Sequence, residues 1–305
     1  MNPSIKKAIG SGFNAANKSF LCMILYVSLW VVATLLVFLV MIPTKPPVQS
    51  LANVFKNRSE LAAPQANAAA APGQEVKKRE PTPEEKEIEQ WFLRIWPVVM
   101  LMVLFLILAG IFLYGGQIGY LTKQIRGEPA KTSDFMTAAS KSFIPLVGVY
   151  LLSFALIGAP LLVGGGLIAL SAKIFPTAFS ILLSAVFIVS VLVLFAWLGV
   201  RLVFSGLAVP ADHIGPIESL KTSFRITKGR FWNVVLFSVV LNLISLAVDV
   251  SFRLLNWIGG FMGGALIFIL AFLSIGIGIY LAFLKEAATI FYYDEAKPIT
   301  TGSAV

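Results

Sequence analysis

Residues 19–42 read SFLCMILYVSLWVVATLLVFLVMI, an apolar run without a charged side chain. A helix rises about 1.5 Å per residue, so about 20 such residues cross the ~30 Å hydrocarbon core of a bilayer. The apolar core of a cleaved signal peptide is shorter, ~7–15 residues, and ends at small residues. This run is longer and continues into Ile-Pro-Thr-Lys-Pro-Pro, so it predicts a membrane helix that is not cleaved.

Five further apolar runs follow the first. They cover about residues 91–121, 143–170, 178–209 and 231–254, and from after Asn256 to about Leu284. Hydrophobic residues make up 58% of the chain and charged residues only 13%, about half the charged share of a soluble domain. The runs are continuous rather than alternating, which excludes a β-barrel. We therefore predict an all-α, polytopic membrane protein with about six transmembrane helices.

Residues 43–90 differ from these runs. Clusters of Pro and Ala are followed by a charge-rich stretch, which leaves the segment little to bury. Residues 82–85, Thr-Pro-Glu-Glu, have the pattern of a helix N-terminus. We expect a flexible extramembrane loop with a helical end that leads into the second span.

The formal net charge is +9, from 24 Lys and Arg against 15 Asp and Glu. The basic residues adjoin the apolar runs, where orientation and anionic lipid headgroups explain them, so no nucleic-acid partner is expected. The short segments before the first span, after the second and after the fourth are basic, whereas the opposite short turns hold only Lys173 and Arg253. The positive-inside rule then predicts that both termini lie in the cytoplasm and that the 43–90 loop lies outside.

A short motif recurs at the start of spans that run outward. Residues 15–20 (AANKSF) recur as residues 138–143 (AASKSF), and residues 226–231 (ITKGRF) form a weaker third copy. An amphipathic stretch precedes each copy, with apolar positions at Ile5, Ile9 and Phe13, at Phe135 and Ala139, and at Ile217, Leu220 and Phe224. Basic amphipathic helices of this kind lie in the headgroup plane of a membrane.

We interpret the motif as the mark of three parallel pseudo-repeats, each an interfacial helix followed by a transmembrane hairpin. The repeats cover residues 1–121, 122–210 and 211–293, and a polar cytoplasmic tail follows at 294–305. The side chains expected to contact anionic headgroups are Lys18, Lys141, Lys228 and Arg230. The alternative is that Ala, Lys and an aromatic residue are common wherever a helix enters a membrane, so that the third copy arises by chance.

Residues 217–232, IESLKTSFRITKGRFW, resemble a family signature, Ala-Leu-x-x-Ser-x-x-x-Thr-Lys-Gly-x-x-Trp. The signature belongs to the glycerophosphoryl diester phosphodiesterase membrane-domain family and related uncharacterised bacterial six-helix membrane proteins. Ser219 stands where the signature has Ala, and Tyr292-Tyr293-Asp294 is similar to the family's closing motif. The resemblance spans about residues 110–295. Some relatives carry a soluble phosphodiesterase barrel, which this sequence does not contain, so the resemblance implies a bacterial membrane module without that catalysis.

Polar side chains within apolar runs are costly unless they are paired or hydrated, so each is a functional candidate. Arg201, deep in the fourth span, is the best candidate for binding a lipid phosphate or pairing across the bundle, and snorkelling explains it equally well. Asn242 lies in the middle of the fifth span, where an amide usually links helices. Pro160 predicts a kink or local unwinding of the third span, a feature that transporters use to bind substrates. Asp249 and Arg253, four residues apart, are expected to form an interfacial ion pair.

Catalytic chemistry finds no support in the sequence. His213 is the only histidine and Cys22 the only cysteine, so neither a His-centred metal cluster nor an intrachain disulfide is possible. No phosphate-binding loop and no Gly-x-Ser-x-Gly motif occurs. We therefore expect no catalytic residues, no cofactor, no metal site and no enzymatic activity.

Two functions are compatible with these features. The first is a non-enzymatic scaffold or accessory subunit that acts with envelope or lipid-handling partners, bound to anionic lipid and to a protein partner or a second copy of itself. The alternative is a transporter or channel for a lipid or small solute, with a path near Pro160, Arg201 and Asn242. Its weakness is the scarcity of polar residues at mid-membrane depth.

Overall fold

The computed structural model describes residues 3–41, 49, 53, 82–174, 177–262 and 264–297. These residues form helices and the turns between them, and no strand occurs among them. The helices are, in chain order, α1 (Ile5–Lys18), α2 (Phe20–Met41), α3 (Pro83–Ile125), α4 (Thr132–Ile174), α5 (Thr177–Leu202), α6 (Ser205–Asp212), α7 (Pro216–Thr227), α8 (Phe231–Met262) and α9 (Gly264–Ala296).

Within the described residues, six helical stretches are long and apolar enough to cross a membrane. They are Phe20–Val40, Pro83–Ile125, Thr132–Leu170, Phe179–Asp212, Phe231–Leu255 and Leu270–Ala296. Large apolar side chains are exposed along them, as expected for a surface that contacts lipid rather than water. The prediction of an all-α chain with six membrane-spanning segments is confirmed.

The predicted fourth span is divided in the structure. It was expected to run unbroken over residues 178–209, but α5 ends at Leu202 and α6 begins at Ser205. The hydroxyl of Ser223 in α7 accepts a hydrogen bond from the Phe204 N–H at 3.2 Å and donates to the Arg201 carbonyl at 2.6 Å. Backbone groups that the break frees are thereby satisfied inside the protein, as a break in this position requires.

The helix of the sixth span, α9, is longer than predicted. It does not end near Leu284 but continues to Ala296, because one face of the segment that follows Leu284 is buried inside the protein through Ala287, Ala288 and Ile290. Tyr292 and Tyr293 in this extension are fully buried. Residues 294–297, placed by the sequence in a polar tail, therefore belong to the folded protein, and residues 298–305 lie outside the described part.

The chain divides into two compact units, residues 30–109 and residues 1–29 with 110–305. In the first of these, apolar side chains of α2 and α3 border a groove of about 450 Å³. α3 begins at the predicted position with a capping box, in which the Thr82 N–H donates to the Glu85 carboxylate at 2.9 Å and the Glu85 N–H donates to the Thr82 hydroxyl at 3.3 Å. The rest of the predicted loop lies outside the described residues, apart from 49 and 53.

In the other unit, α1 packs along α9 through a face of small residues. Ala8, Gly12, Ala15 and Ala16 are buried there. A Cβ atom on Gly12 would lie 2.8 Å from the carbonyl oxygen of Leu284, so only glycine permits this close approach. Of the larger apolar side chains predicted for this helix, Ile5 and Ile9 are half-buried, and Phe13 is 43% exposed.

The second amphipathic stretch does not form a helix of its own. It is the first part of α4, which runs without interruption from Thr132 to Ile174. Phe135 and Ala139 are fully buried, and a Cβ atom on Gly116 of α3 would lie 2.8 Å from the Phe135 ring. These apolar positions pack against protein, in contrast to the expectation of a separate interfacial helix before the third span.

α7 buries a face of hydroxyl-bearing side chains against neighbouring helices. Its buried residues are Ser219, Thr222, Ser223, Ile226 and Thr227. Ile217, at the start of the helix, is 62% exposed. Like α1, this helix packs on protein with its small or hydroxyl face and keeps a large apolar side chain outside.

α4 remains helical through both of its prolines, Pro145 and Pro160. The local unwinding predicted at Pro160 does not occur. α4 and α5 follow each other closely and pack together, as the short connection between the third and fourth spans predicts.

Candidate functional site

Five side chains from three helix ends form one charge cluster. Its members are Arg126, Asp212, Tyr293, Asp294 and Lys297. Arg126 donates to the Asp212 carboxylate at 3.0 Å and makes a two-pronged contact with Asp294 at 2.9 and 3.0 Å. Lys297 Nζ lies 2.6 Å from Asp212 Oδ1 and 3.1 Å from Asp294 Oδ1. The Tyr293 hydroxyl donates to Asp212 Oδ2 at 2.5 Å.

The charge cluster is balanced, because its two cations face two carboxylates. Its charged side chains are between 21% and 32% exposed, so water screens them less than it screens a surface pair. Arg126 also donates to the Ala211 carbonyl at 2.9 Å. Its hydrogen bond to Asp294 raises the pKa of the Arg126 guanidinium, against the opposing effect of burial, so this charge is permanent. The cluster thus ties the ends of α3, α6 and α9 together.

Aromatic packing fixes the end of α9 beside the charge cluster. Tyr292 lies between two rings, with centroids 4.5 Å from Phe237 and 6.0 Å from Phe204, both nearly parallel to it. Lys297 Nζ lies 4.3 Å above the Tyr293 ring, a cation–π contact. These contacts hold Tyr293 and Asp294 where they meet Asp212 and Arg126.

An open cleft of about 460 Å³, here named the Lys141 cleft, adjoins the charge cluster. It is bordered by the end of α3, the first turns of α4 and the turn between α6 and α7. Its charged lining residues are Lys123, Arg126, Glu128, Asp134, Lys141 and Asp212. Lys123 is paired with Asp134 at 3.0 Å, and two others belong to the charge cluster. Lys141 has no ion-pair partner within the described part of the chain.

A smaller cavity of about 240 Å³ shares Lys141 and His213 with this cleft and also borders Ser142. Ser142 is 2% exposed, and its hydroxyl has no hydrogen-bond partner among the described residues. The hydroxyls of Thr122 and Thr137, which also line the cleft, donate to carbonyls of their own helices. An unused hydroxyl and an ammonium group without an ion pair therefore border the same small cavity, and both groups can bind a phosphate oxygen.

Arg201 pairs inside the protein. Its Nη1 donates to the Phe224 carbonyl at 3.3 Å and to the Thr227 hydroxyl at 3.2 Å, and its guanidinium lies 5.4 Å from the Trp197 ring centre. Its Nε is buried and has no hydrogen-bond partner in the described part of the chain. The side chain joins α5 to α7, which is the cross-bundle pairing considered for it from the sequence.

Asn242 has a charged partner that the sequence analysis missed. Its side-chain oxygen accepts a hydrogen bond from Lys285 Nζ of α9 at 3.0 Å. Pro160, Arg201 and Asn242 lie on three different helices, and the polar partners of Arg201 and Asn242 are different residues. Arg253 Nε and Asp249 Oδ2 form the predicted ion pair at 2.9 Å, with side chains 79% and 56% exposed.

The four residues predicted to contact headgroups differ in exposure and in hydrogen bonding. Lys18, Lys141 and Lys228 are exposed. Arg230 is half-buried, and its Nη1 donates to the carbonyl of Ala296 at 2.5 Å, so it closes the end of α9. Three of the four therefore have ammonium groups that can reach a ligand.

A family model described as a domain of unknown function (DUF7847) matches residues 90–292. The chain belongs to the DUF7847 family. No curated protein and no solved structure matches it. The DUF7847 segment includes most of α3 and all of α4 to α8, and with them Arg126, Asp212 and the Lys141 cleft.

Within the DUF7847 segment, residues 217–232 have a structural role, although the match to DUF7847 does not link them to the phosphodiesterase membrane-domain family whose signature they resemble. Ser223 caps the break between α5 and α6, and Thr227 holds Arg201. Gly229 has a φ of +80°, a left-handed conformation that glycine adopts without strain, and it ends α7 so that α8 can begin. The signature thus specifies how four helices of the domain join.

Sequence reasoning missed three functional candidates of this DUF7847 protein. Arg126 was counted only as a basic residue of a short connection, and neither Asp212 nor Lys285, which directly follows the predicted sixth span, was considered. A signal existed for the charge cluster, because Tyr292-Tyr293-Asp294 was noticed as a closing motif without a role. Tyr292 stacks, Tyr293 binds Asp212 and Asp294 binds Arg126.

Proposed function

We propose that this protein is a non-enzymatic scaffold or accessory subunit of a bacterial inner membrane that binds an anionic phospholipid headgroup in the Lys141 cleft and acts with envelope- or lipid-handling partners. One observation carries the proposal. An unpaired ammonium group, Lys141, and an unused buried hydroxyl, Ser142, border adjoining cavities, beside helix ends that the charge cluster ties together. Hydrogen-bond donors that remain free beside firmly held helix ends suit the binding of an anionic group such as a phosphate.

Further support comes from α1 and α7, which keep Phe13 and Ile217 exposed beside basic side chains. Such faces suit contact with the headgroup region. The proposal places the Lys141 cleft on the cytoplasmic side by the positive-inside rule, and it retains three pseudo-repeats as an interpretation of the sequence. The resemblance of residues 217–232 to the phosphodiesterase-associated membrane family adds lipid handling as the process in which the protein acts.

Native mass spectrometry of the purified full chain tests lipid binding. We expect the wild type to retain phosphatidylglycerol over phosphatidylcholine, and Lys141→Gln to lose most of that preference. Lys221→Gln, which removes an exposed lysine of α7 outside the cleft lining, is the matched control and should behave as the wild type. Equal retention of both lipids by the wild type, or an unchanged preference in Lys141→Gln, would exclude the proposed site.

The scaffold role has its own test, based on the long loop. Deletion of residues 48–85 is expected to release proteins that co-purify with the full chain while lipid retention stays unchanged. If every co-purifying protein stays bound after the deletion, the loop does not dock partners.

A second candidate function is transport of a lipid or small solute. The observation that favours it is a groove between α8 and α9 that reaches Lys285, the partner of Asn242. Pro160 and Arg201 are not among its lining residues. If the protein is a transporter, Asn242→Ala should lower the flux of its substrate into proteoliposomes. Pro160→Ala and Arg201→Ala should lower the flux as well only if the substrate follows the path that the sequence predicts near these two residues.

A further inference from the structure

A lysine lies at one end of the groove between α8 and α9. Lys285 directly follows the long apolar segment of α9, and it lies beside Leu284, on which Gly12 of α1 packs. Because a basic amphipathic helix such as α1 suits the headgroup region, we infer that Lys285 lies near the same level, at the inner end of the apolar groove.

Lys285 has one neutral partner. Its ammonium group has three N–H donors, and one is used at 3.0 Å by the Asn242 side-chain oxygen. Among the described residues no carboxylate lies within ion-pair distance of Lys285. The adjacent Glu286 interacts electrostatically with Lys285, but it does not line the groove, since consecutive helix residues point about 100° apart.

The rest of the groove is mainly apolar. Its volume is about 420 Å³, and its apolar lining includes Val248, Phe252, Ile275 and Leu281. Asp249 also lines it, but Arg253 matches that charge at 2.9 Å. The serine hydroxyls at 245 and 274 donate to their own helices. The groove therefore presents one ammonium group without an ion pair inside the groove, at one end of an apolar lining, and its volume is within the ~300–1,000 Å³ range of ligand sites.

We propose that this groove binds a long-chain fatty acid, with the carboxylate on Lys285 and the hydrocarbon chain along Val248, Phe252 and Ile275. A carboxylate carries a single negative charge, which matches the single unpaired cation. A phosphate monoester carries about −1.5 to −2 at neutral pH and would remain partly uncompensated there. The groove is separate from the Lys141 cleft, so loss of lipid binding in Lys141→Gln leaves this site untouched.

Binding of radiolabelled palmitate to the purified full chain tests the site. Unlabelled palmitate is expected to displace the radiolabelled palmitate. Methyl palmitate, which lacks the negative charge, is not expected to displace it. Lys285→Met should weaken palmitate binding about tenfold or more, because it removes a charge-assisted hydrogen bond. Lysophosphatidic acid should compete less well than palmitate, and stronger competition by it would overturn the carboxylate assignment.

Two glycines of α9 supply a matched pair of variants that keep Lys285. Gly278 lines the groove and Gly276 does not, and a Cβ atom at either position meets no atom within 4 Å. Gly278→Leu should fill the groove and weaken palmitate binding about tenfold, whereas Gly276→Leu should leave it within about twofold of the wild type. Wild-type affinity in both Lys285→Met and Gly278→Leu, or equal competition by methyl palmitate, would refute the proposal.

Discussion

Asp212 is the residue at which most contacts of the charge cluster meet. Its carboxylate accepts from Arg126, Lys297 and Tyr293. Asp212→Asn removes the negative charge and leaves two partly buried cations facing one carboxylate. We expect the free energy of unfolding to fall by about 1.5–3 kcal/mol, the usual loss for a hydrogen bond to a charged group, measured by thermal unfolding in detergent.

Asp249→Asn is the control for this prediction. It also removes one carboxylate from an ion pair, but that pair with Arg253 is mostly exposed and worth less than about 1 kcal/mol. An equal loss of stability in both variants would show that the charge cluster does not hold the helix ends together.

The contacts of a single side chain could be predicted from the sequence where its partner is close in the chain. The pair Asp249 and Arg253 followed from a four-residue spacing, and the Thr82 capping box from its pattern. Arg126 and Asp294 are 168 positions apart, so only the packing of α3 against the end of α9 brings them together. Lys285 was missed because it directly follows the predicted sixth span, and its partner Asn242 is 43 positions away.

At the scale of elements, the break between α5 and α6 depends on Ser223. Ser223→Ala leaves the Phe204 N–H and the Arg201 carbonyl without their partner in a buried place. We expect a loss of about 1–3 kcal/mol in the free energy of unfolding, which chemical or thermal unfolding would detect.

Ser219→Ala is the matched change on the same helix. Ser219 is equally buried, but its hydroxyl donates only to the Pro216 carbonyl one turn earlier. Its loss leaves no backbone N–H unsatisfied, so this variant should keep nearly wild-type stability. If the two variants lost the same stability, Ser223 would have no special role at the break.

The docking of α1 on α9 depends on Gly12. Gly12→Ala would place a Cβ atom 2.8 Å from the Leu284 carbonyl oxygen and 3.0 Å from the Ala288 Cβ, which costs about 1–3 kcal/mol if the helices must separate. Amide hydrogen exchange should then become faster in residues 5–18. Gly10→Ala meets no atom within 4 Å, and its better helix propensity should slow exchange instead. Faster exchange in both variants would contradict this packing.

Helices were predictable as elements, but their junctions were not. The six apolar runs fixed where helices lie, because length and composition suffice for a membrane span. The break near residue 203 was missed, although Gly206 and Pro210 follow it closely and a predicted span of residues 178–209 exceeds the ~20 residues needed. The amphipathic stretches were recognised, yet their buried faces were not, because small and hydroxyl side chains give little hydrophobic signal.

At the scale of the whole molecule, hydropathy determines an all-α membrane architecture, and basic residues indicate its orientation. The predicted cytoplasmic segments are those that build the Lys141 cleft and the charge cluster. Hydropathy does not reveal which lipid headgroups or protein partners a membrane protein binds, so the candidate site could be found only from contacts between distant segments. In our proposal, the free donors Lys141 and Ser142 bind an anionic headgroup on the cytoplasmic side.

The side on which the Lys141 cleft lies is the central claim, and cysteine labelling in intact cells tests it most directly. In a Cys22→Ala background, Ser133→Cys places a thiol at the exposed start of α4, and Gln74→Cys places one in the long loop. The account predicts that a membrane-impermeant maleimide labels position 74 in intact cells, and position 133 only after the cells are broken. Labelling of position 133 in intact cells, with position 74 protected until lysis, would contradict it.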